Sequence, residues 1–379
     1  MPTIDLFAGA GGLSIAAARA GCDVRLHVDF DRWACETLRT NTHHHGGEVL
    51  EADVASLTGQ GLRKRARVRR GEPLLVIGGP PCQPFSKAAF WSEDGDDAAY
   101  RRARANGAPA PKPKQHGHRP DARRFLVQDF MRLVIESCAD GFIFENVASL
   151  LAPRNHHMFA ALLEQAHAAG FTTTVVRANA AEYGVPQKRH RVFVLGSRRG
   201  RVHAPEPTHT LDPEIETQTR PAVTCGEVLA PYADESLFEP REIIEGRWAK
   251  HLREVPPGGN YKHHTAWAGH PRPTFVTETR FWNFLLKLSP DLPAWTIPAN
   301  PGPWTGPFHW ESRRLRTPEL AALQGFPDGY LFAGSRRERV RQIGNAAPPP
   351  LAEPMIRAVA EALMGKRSSR KESALTCAA

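Results

Sequence analysis

The chain reads as an α/β protein built on a mostly parallel sheet, with a smaller domain inserted into it. Three observations predict this. Short β-branched runs alternate with helical periodicities through about residue 196. Glycines follow the first strand directly. The alternation stops near residue 200 and returns only at Pro318.

The elements follow in order. Thr3 to Phe7 is the first strand, followed by Gly9, Gly11, Gly12 and a helix through Ala20 that Gly21 ends. Val24 to Val28 is a second strand, with Asp31 to Asn41 its helix. Leu74 to Ile77 is a buried strand running into Gly78, Gly79 and two prolines, which demand a sharp loop. Within Arg123 to Cys138, Leu126, Phe130, Leu133 and Val134 share one helical face, and Phe142 to Phe144 makes a strand ending at Glu145 and Asn146. Phe159, Leu162, Leu163 and Ala166 repeat the helical pattern up to Gly170, and two strands near 171–177 and 191–195 follow. The stretch from about 200 to 312 is rich in Pro, Gly, Trp and His without a period. Helices return at Pro318 to Leu323 and Leu351 to Leu363. The expected division is 1–198 with 313–365 as one domain, 199–312 inserted, and 366–379 a disordered basic tail.

Composition bounds the partners. Lys and Arg number 49 against 40 Asp and Glu in 379 residues, and the net charge of +9 favours a polyanion. This length suits two domains with cores large enough to need no disulfides. Hydrophobic content of 41% and charged content of 23% exclude wholesale disorder. No apolar run approaches the roughly 18 residues of a membrane span. The start lacks a secretory pattern, so a cytoplasmic location is expected. Cys22, Cys35, Cys82, Cys138, Cys225 and Cys377 show neither CxxC nor zinc spacing and read as reduced thiols. The histidines at 43–45, 156–157 and 263–264 lack companion ligands, so they read as solvated loop or helix-face residues and no metal is expected.

Four stretches carry chemistry. In DLFAGAGGLS (5–14) the glycines let a ligand approach the backbone at the carboxyl end of the sheet. The loop lacks the GxGxxG and GK[ST] fingerprints, which disfavours NAD and ATP and leaves an adenosyl ligand without phosphates. Asp29 and Asp53 are placed either to accept from ribose hydroxyls and an adenine amino group or to cap helices. In GGPPCQPFS (78–86) the prolines present Cys82 in a rigid turn, and a thiol suits reversible attack on an electron-poor carbon. Glu145 ends a strand on the same edge, where a carboxylic acid beside a cysteine can deliver a proton. In QKRHR, Gln187, Arg189 and Arg191 share one side at period two, as a row of donors for a ligand or as an ordinary surface ladder. The basic runs at 63–70 and 99–124 are either solvated surface or contacts to a polyanion.

With these residues in hand, the chain resembles the bacterial-type DNA (cytosine-5-)-methyltransferases over nearly its whole length. The matching motifs stand in the family's order: DLFAGAGGLS, VDFD, the Asp53 region, GGPPCQPFS, DARRFL, FENV, QKRHR, LQGFPDGY and QIGNAAPPP. The resemblance implies a Rossmann-like fold and S-adenosylmethionine as cofactor. Phe7, Ala8, Gly9, Gly11, Gly12 and Leu13 would bind it, with Asp29 on the ribose, Phe30 against the adenine, and Asp53 with Val54 at the amino group. Pro80, Leu126 and Asn345 would complete the pocket. It also implies Cys82 as nucleophile, Glu145 at ring nitrogen 3, and Arg189 with Arg191 as a clamp near the cytosine carbonyl and Glu145. The substrate would be a cytosine flipped out of double-stranded DNA. Segment 83–120 would close over the duplex, 199–312 would recognise the target, and a restriction endonuclease would be the cognate partner of a monomeric enzyme unless it is an orphan. Trp267, Trp282, Trp295, Trp304 and Trp310 either touch DNA or form the inserted domain's core. Two departures stand: the segment between Cys82 and DARRFL is longer than in compact family members, and in RLRTPELAALQ Pro318 replaces the family's arginine in a domain-bridging motif. The competing readings are an RNA cytosine methyltransferase, against which the size of the insert argues, and a silent DNA-binding regulator, against which Cys82 and Glu145 argue. A nicotinamide oxidoreductase is disfavoured by its missing fingerprint.

Overall fold

Seven strands form the central sheet in the order β3-β2-β1-β4-β5-β8-β6 of the computed structural model. They are β1 (Pro2–Leu6), β2 (Asp23–Asp29), β3 (Glu48–Glu51), β4 (Leu75–Gly78), β5 (Gly141–Val147), β6 (Thr172–Asn179) and β8 (His190–Ser197); the two-residue β7 (Gln187–Lys188) stands apart. The structure describes residues 1–85, 96–109, 121–212, 214 and 218–365. The expected tail and much of the loop after Cys82, with Lys112, Lys114 and Arg119, lie outside the described residues. The first five strands in the sheet order pair in parallel, and β8 runs antiparallel between β5 and β6.

Both faces of this sheet are covered, which is why its strands read as continuous apolar runs. Along Leu74 to Ile77, Leu74 and Val76 enter one core and Leu75 and Ile77 the other, as the twofold strand period requires. Helices α1 (Gly12–Arg19) and α12 (Pro349–Met364) pack in the Leu75 and Ile77 core. Helices α4 (Gly59–Arg65), α6 (Leu126–Glu136) and α7 (His156–Ala168) contribute Leu62, Phe130 and Leu162 to the other. Asp31 caps α2 (Arg32–Thr40) by accepting from Trp33 and Ala34, and the short α3 (Thr42–His45) follows. Helix α4 lies in the basic run of the sequence. There Arg63 donates to the carbonyls of Ser137, Arg69 and Glu72, and Arg65 pairs with Glu48, so part of that charge is used inside the fold.

The remaining helices are α5 (Asp96–Ala105), α8 (Cys225–Leu229), α9 (Ala249–Glu254), α10 (Thr317–Gln324) and α11 (Arg336–Asn345). The irregular stretch holds a small core of its own around Ile244, Leu252, Tyr261, Phe275, Leu285 and Phe308. Its flanks do not share that core. Cys225, Leu229, Leu288, Ala294 and Ile297 pack with Ala10, Ile15, Leu320, Leu323 and Ile343, fastening both flanks to the glycine loop, α1, α10 and α11. At the Pro318 departure, Arg316 takes up the bridging contact. It forks onto Glu242 at 2.8 and 3.1 Å and donates to the carbonyls of Tyr232 and Asp234, while Arg313 grips the wholly buried Glu319. Pro318 itself occupies the first turn of α10, where a missing N–H costs nothing.

One expectation is corrected. His45 and His264 are buried, not solvated: the His45 ring packs edge-on against the buried His27 ring, and the Nε2 of His264 bonds the His251 carbonyl. Of the inserted-region tryptophans left open between the two readings, Trp267, Trp282 and Trp295 are exposed, whereas Trp304 packs against the small core and Trp310 against the cluster shared with α10 and α11. Among the described residues, no helix is long and apolar enough to cross a membrane.

Candidate active site

The carboxyl ends of β1 to β5 converge on one edge, and every site residue expected from sequence except Leu126, Arg189, Arg191 and Asn345 ends or follows one of these strands. After β4, Gly78 has no room for a side chain, since a Cβ would stand 2.7 Å from the Leu6 carbonyl. A Cβ on Gly79 would stand 2.9 Å from Glu145 Oε2, so that glycine leaves space for the carboxylate. Pro80 is buried, and Asn146 Nδ2 donates to its carbonyl at 3.1 Å, which fixes the path of the chain into Cys82. Beyond it Phe85 is wholly buried beneath the Arg124 guanidinium, and its carbonyl accepts from Ser149 Oγ at 2.7 Å. Cys82 is therefore clamped on both sides, and it is half-buried rather than fully presented.

Glu145 and Arg191 lie on one face of the antiparallel pair β5 and β8, where Val147 is opposite Arg191 and Glu145 opposite Phe193. Arg191 Nε sits 2.7 Å from Glu145 Oε1. Burial pushes the Glu145 carboxyl up, against the pull of Arg191 and Arg189. Burial also raises the Cys82 thiol; Arg191 and Arg189 oppose that and the Glu145 charge adds to it. The Glu145 charge therefore opposes ionisation of the thiol, while the two arginines favour it.

Gln187 and Arg189 do not form the expected row of donors with Arg191. Arg189 is wholly buried, donating to the carbonyls of Gly344 at 2.7 Å, Ala346 at 3.2 Å and Ile297 at 3.3 Å. Gln187 bonds Gln324 and the Leu323 carbonyl. The physical reason is that the C-terminal segment packs over this end of the sheet, and its unpaired carbonyls claim the donors.

The glycine loop lies beside this cluster. Phe7, Gly9 and Gly11 have φ of 57°, 54° and 84°, and the Gly9 N–H donates to Asp29 Oδ2 at 2.8 Å. Gly12 starts α1, and a Cβ there would clash with the Ala347 carbonyl. Ala8 and Leu13 are buried beneath the loop. Asp29 is buried at the end of β2 and also accepts from the Asp31 N–H, while Phe30 next to it is 69% exposed. Asp53 caps Ala55 with one carboxylate oxygen, and Val54 is buried. Leu126 is half-buried at the start of α6, and exposed Asn345 accepts from Gln83, next to Cys82, at 3.4 Å. Sequence reasoning missed Asn146, Ser149, Phe85 and Arg124. Asn146, Phe85 and Arg124 had a signal, since they stand in the FENV, GGPPCQPFS and DARRFL motifs, while Ser149 had none.

Such a loop, an exposed aromatic ring and acidic strand ends on one side, with a cysteine and a buried carboxylate on the other, describe a transferase for a nucleoside-bearing cofactor. The sequence model of the C-5 cytosine-specific DNA methylases matches residues 1–101 and 111–361, and the chain belongs to that family. It is 37% identical over 390 residues to the Type II methyltransferase M.SacI of Streptomyces achromogenes, covering 96% of this chain and 93% of that protein. It is 30% identical to the Type II methyltransferase M1.HphI of Haemophilus parahaemolyticus, covering 94% and 86%. A solved E. coli prophage protein superposes with a TM-score of 0.64 at 22% identity, covering 96% and 99%, and a mutant of Spodoptera frugiperda DNMT2 with 0.58 at 15%, covering 95% and 99%. At those identities the structures show the fold.

Membership in a methyltransferase family implies S-adenosylmethionine, and the residues fit it. A Cβ on Gly9 would meet nothing nearer than the Phe7 carbonyl at 3.9 Å, so the loop is open just where backbone approach is needed. Phe30 offers an uncovered ring, and the loop presents no lysine to a phosphate.

Proposed function

We propose that the protein methylates carbon 5 of a cytosine flipped out of double-stranded DNA, with Cys82 as nucleophile. The observation that carries this is the buried Glu145–Arg191 pair at 2.7 Å on the sheet edge where the clamped turn holds Cys82. Carbon 5 of cytosine is unreactive until the ring is made electron-rich. The Cys82 thiolate adds to carbon 6 while Glu145 holds a proton at nitrogen 3, which places an enamine at carbon 5. Proton loss from Cys82 matched by proton gain on Glu145 keeps the net charge of the pocket constant, which its burial demands. Arg191 orients Glu145. Arg189 acts as a positioning residue, holding the backbone at 297 and 344–346 against the site. When carbon 5 later loses its proton, the electron pair re-forms the ring double bond and expels the Cys82 sulfur.

Phe7 to Leu13, Asp29, Phe30, Asp53, Val54, Pro80, Leu126 and Asn345 would hold S-adenosylmethionine, which supplies an electrophilic sulfonium methyl group. We assign 1–198 with 313–365 to catalysis and the insert to target recognition. Lys262 lies 5.4 Å from both the Trp267 and Trp282 rings, Trp282 stacks edge-on with Trp295, and Lys188 lies 5.2 Å from Trp295. That exposed aromatic and cationic strip suits a nucleic-acid backbone and bases. The Type II relatives point to a modification enzyme that protects host DNA from a cognate endonuclease. The test is transfer of radiolabelled methyl from S-adenosylmethionine to duplex DNA, followed by bisulfite sequencing. Label at cytosine that disappears in Cys82→Ala supports the reading; label in RNA alone, or none, contradicts it.

A further inference from the structure

The inserted region carries a second cluster that the methyl-transfer reading does not use. Glu254 ends α9, His264 ends the 3-10 turn Tyr261–His264, and His270 follows the turn that bears Trp267. One donor atom from each of the three lies within 4.8 Å of the others. We propose that Glu254, His264 and His270 form a binding site for a zinc-class divalent cation.

The argument rests on which ring nitrogens are free. His264 is wholly buried, and its Nε2 donates to the His251 carbonyl at 2.8 Å, which leaves the lone pair on Nδ1. That buried Nδ1 has no hydrogen-bond partner. It stands 3.7 Å from Glu254 Oε2, too far for a hydrogen bond. The gap is close to the ~3.4 Å between two ligands each about 2.1 Å from a tetrahedral ion. In His270, Nδ1 lies 2.9 Å from the Arg272 carbonyl and 3.2 Å from the Arg272 N–H, so the Arg272 backbone holds the ring beside the other two residues. His264 is thus held by a backbone carbonyl in the tautomer that ligation requires, the usual support of a zinc-bound imidazole. Two histidines and a carboxylate match the donor preference of zinc. The cation would join α9 to the Trp267 turn in a region whose own core is small, where a metal link adds most.

The full-length protein, stripped with a chelator, is titrated with Zn²⁺ alone against a chromophoric competitor, and with Co²⁺ for its visible spectrum. The expected result is one Zn²⁺ per chain and a tetrahedral Co²⁺ spectrum, with affinity weakened at least about ten-fold in Glu254→Gln and in His270→Ala. Glu254 is substantially exposed, so its variant keeps the test open if the histidine variant misfolds. A His43→Ala/His44→Ala control, on α3 and outside the three-residue cluster, should bind as wild type. Absence of stoichiometric binding in the wild type, or binding retained by both ligand variants, overturns the proposal.

Discussion

Glu145 and Arg191 are diagonal neighbours on one face of β5 and β8, joined at 2.7 Å with both side chains no more than 10% exposed. A buried pair of this kind is costly to break from one side, because the remaining charge keeps its desolvation penalty. Arg191→Ala should therefore destabilise the fold by about 3–5 kcal/mol and push the Glu145 carboxyl further up. Glu145→Gln should lower kcat by about 10²–10⁴-fold by removing the group that holds the proton. Urea unfolding beside steady-state kinetics checks both; a stable, fully active Arg191→Ala protein contradicts the assignment.

Gly79 should matter for chemistry more than for folding. A methyl group there meets Glu145 Oε2, so Gly79→Ala should displace the carboxylate and lower kcat/KM on the order of 10²-fold, the usual penalty for about 1 Å of misplacement. Circular dichroism melting should show a much smaller effect.

Asp5, Ser14 and His27 form a buried chain whose protons can be placed. His27 Nε2 donates to the Gly46 carbonyl, so Nδ1 accepts from Ser14 Oγ at 2.8 Å. Ser14 has then spent its proton, and the 2.5 Å contact with Asp5 Oδ2 requires a protonated Asp5. Burial pushes Asp5 up to about 8 and His27 down to about 3. Because the folded pKa of Asp5 exceeds its unfolded value, its contribution to stability is lost as pH rises from about 4 to about 8. His27 acts oppositely, and only below about 6.5. Between pH 6.5 and 8 Asp5 alone should cost about 2 kcal/mol, and Asp5→Asn, whose amide can donate to Ser14, should remove that slope. Denaturant titrations of both proteins at the two pH values give the difference.

Phe30→Ala should leave stability within about 0.5 kcal/mol, since the ring is exposed. It should weaken S-adenosylmethionine binding about three- to ten-fold through the lost stacking surface. Calorimetric titration measures this, and an unchanged Kd would remove Phe30 from the cofactor pocket.

The sheet, the glycine loop and the placement of Cys82 and Glu145 were legible because each depends on local pattern: alternating apolar runs, and glycines or prolines where only they fit. Helix α4 was hidden, because the arginines that fill it are paired with carbonyls far away in sequence, such as that of Ser137. The fates of Gln187 and Arg189 were equally hidden. Period two told which side they share but not that residues 323 and 344–346 would return to claim them. The burial of His264 and the exposure of Trp267 and Trp282 depend on how an irregular region folds, and no periodicity reports that.

The central claim is a transient bond between the Cys82 sulfur and carbon 6 of the target base. A long duplex synthesised with 5-fluorocytosine in place of cytosine tests it without knowledge of the recognised site, because fluorine at carbon 5 cannot depart as a proton. In the presence of S-adenosylmethionine, the account predicts a protein–DNA adduct that survives denaturation and maps by mass spectrometry to the peptide containing Cys82. An enzyme that makes 5-methylcytosine in ordinary duplex yet forms no such adduct, or forms it through another residue, contradicts it.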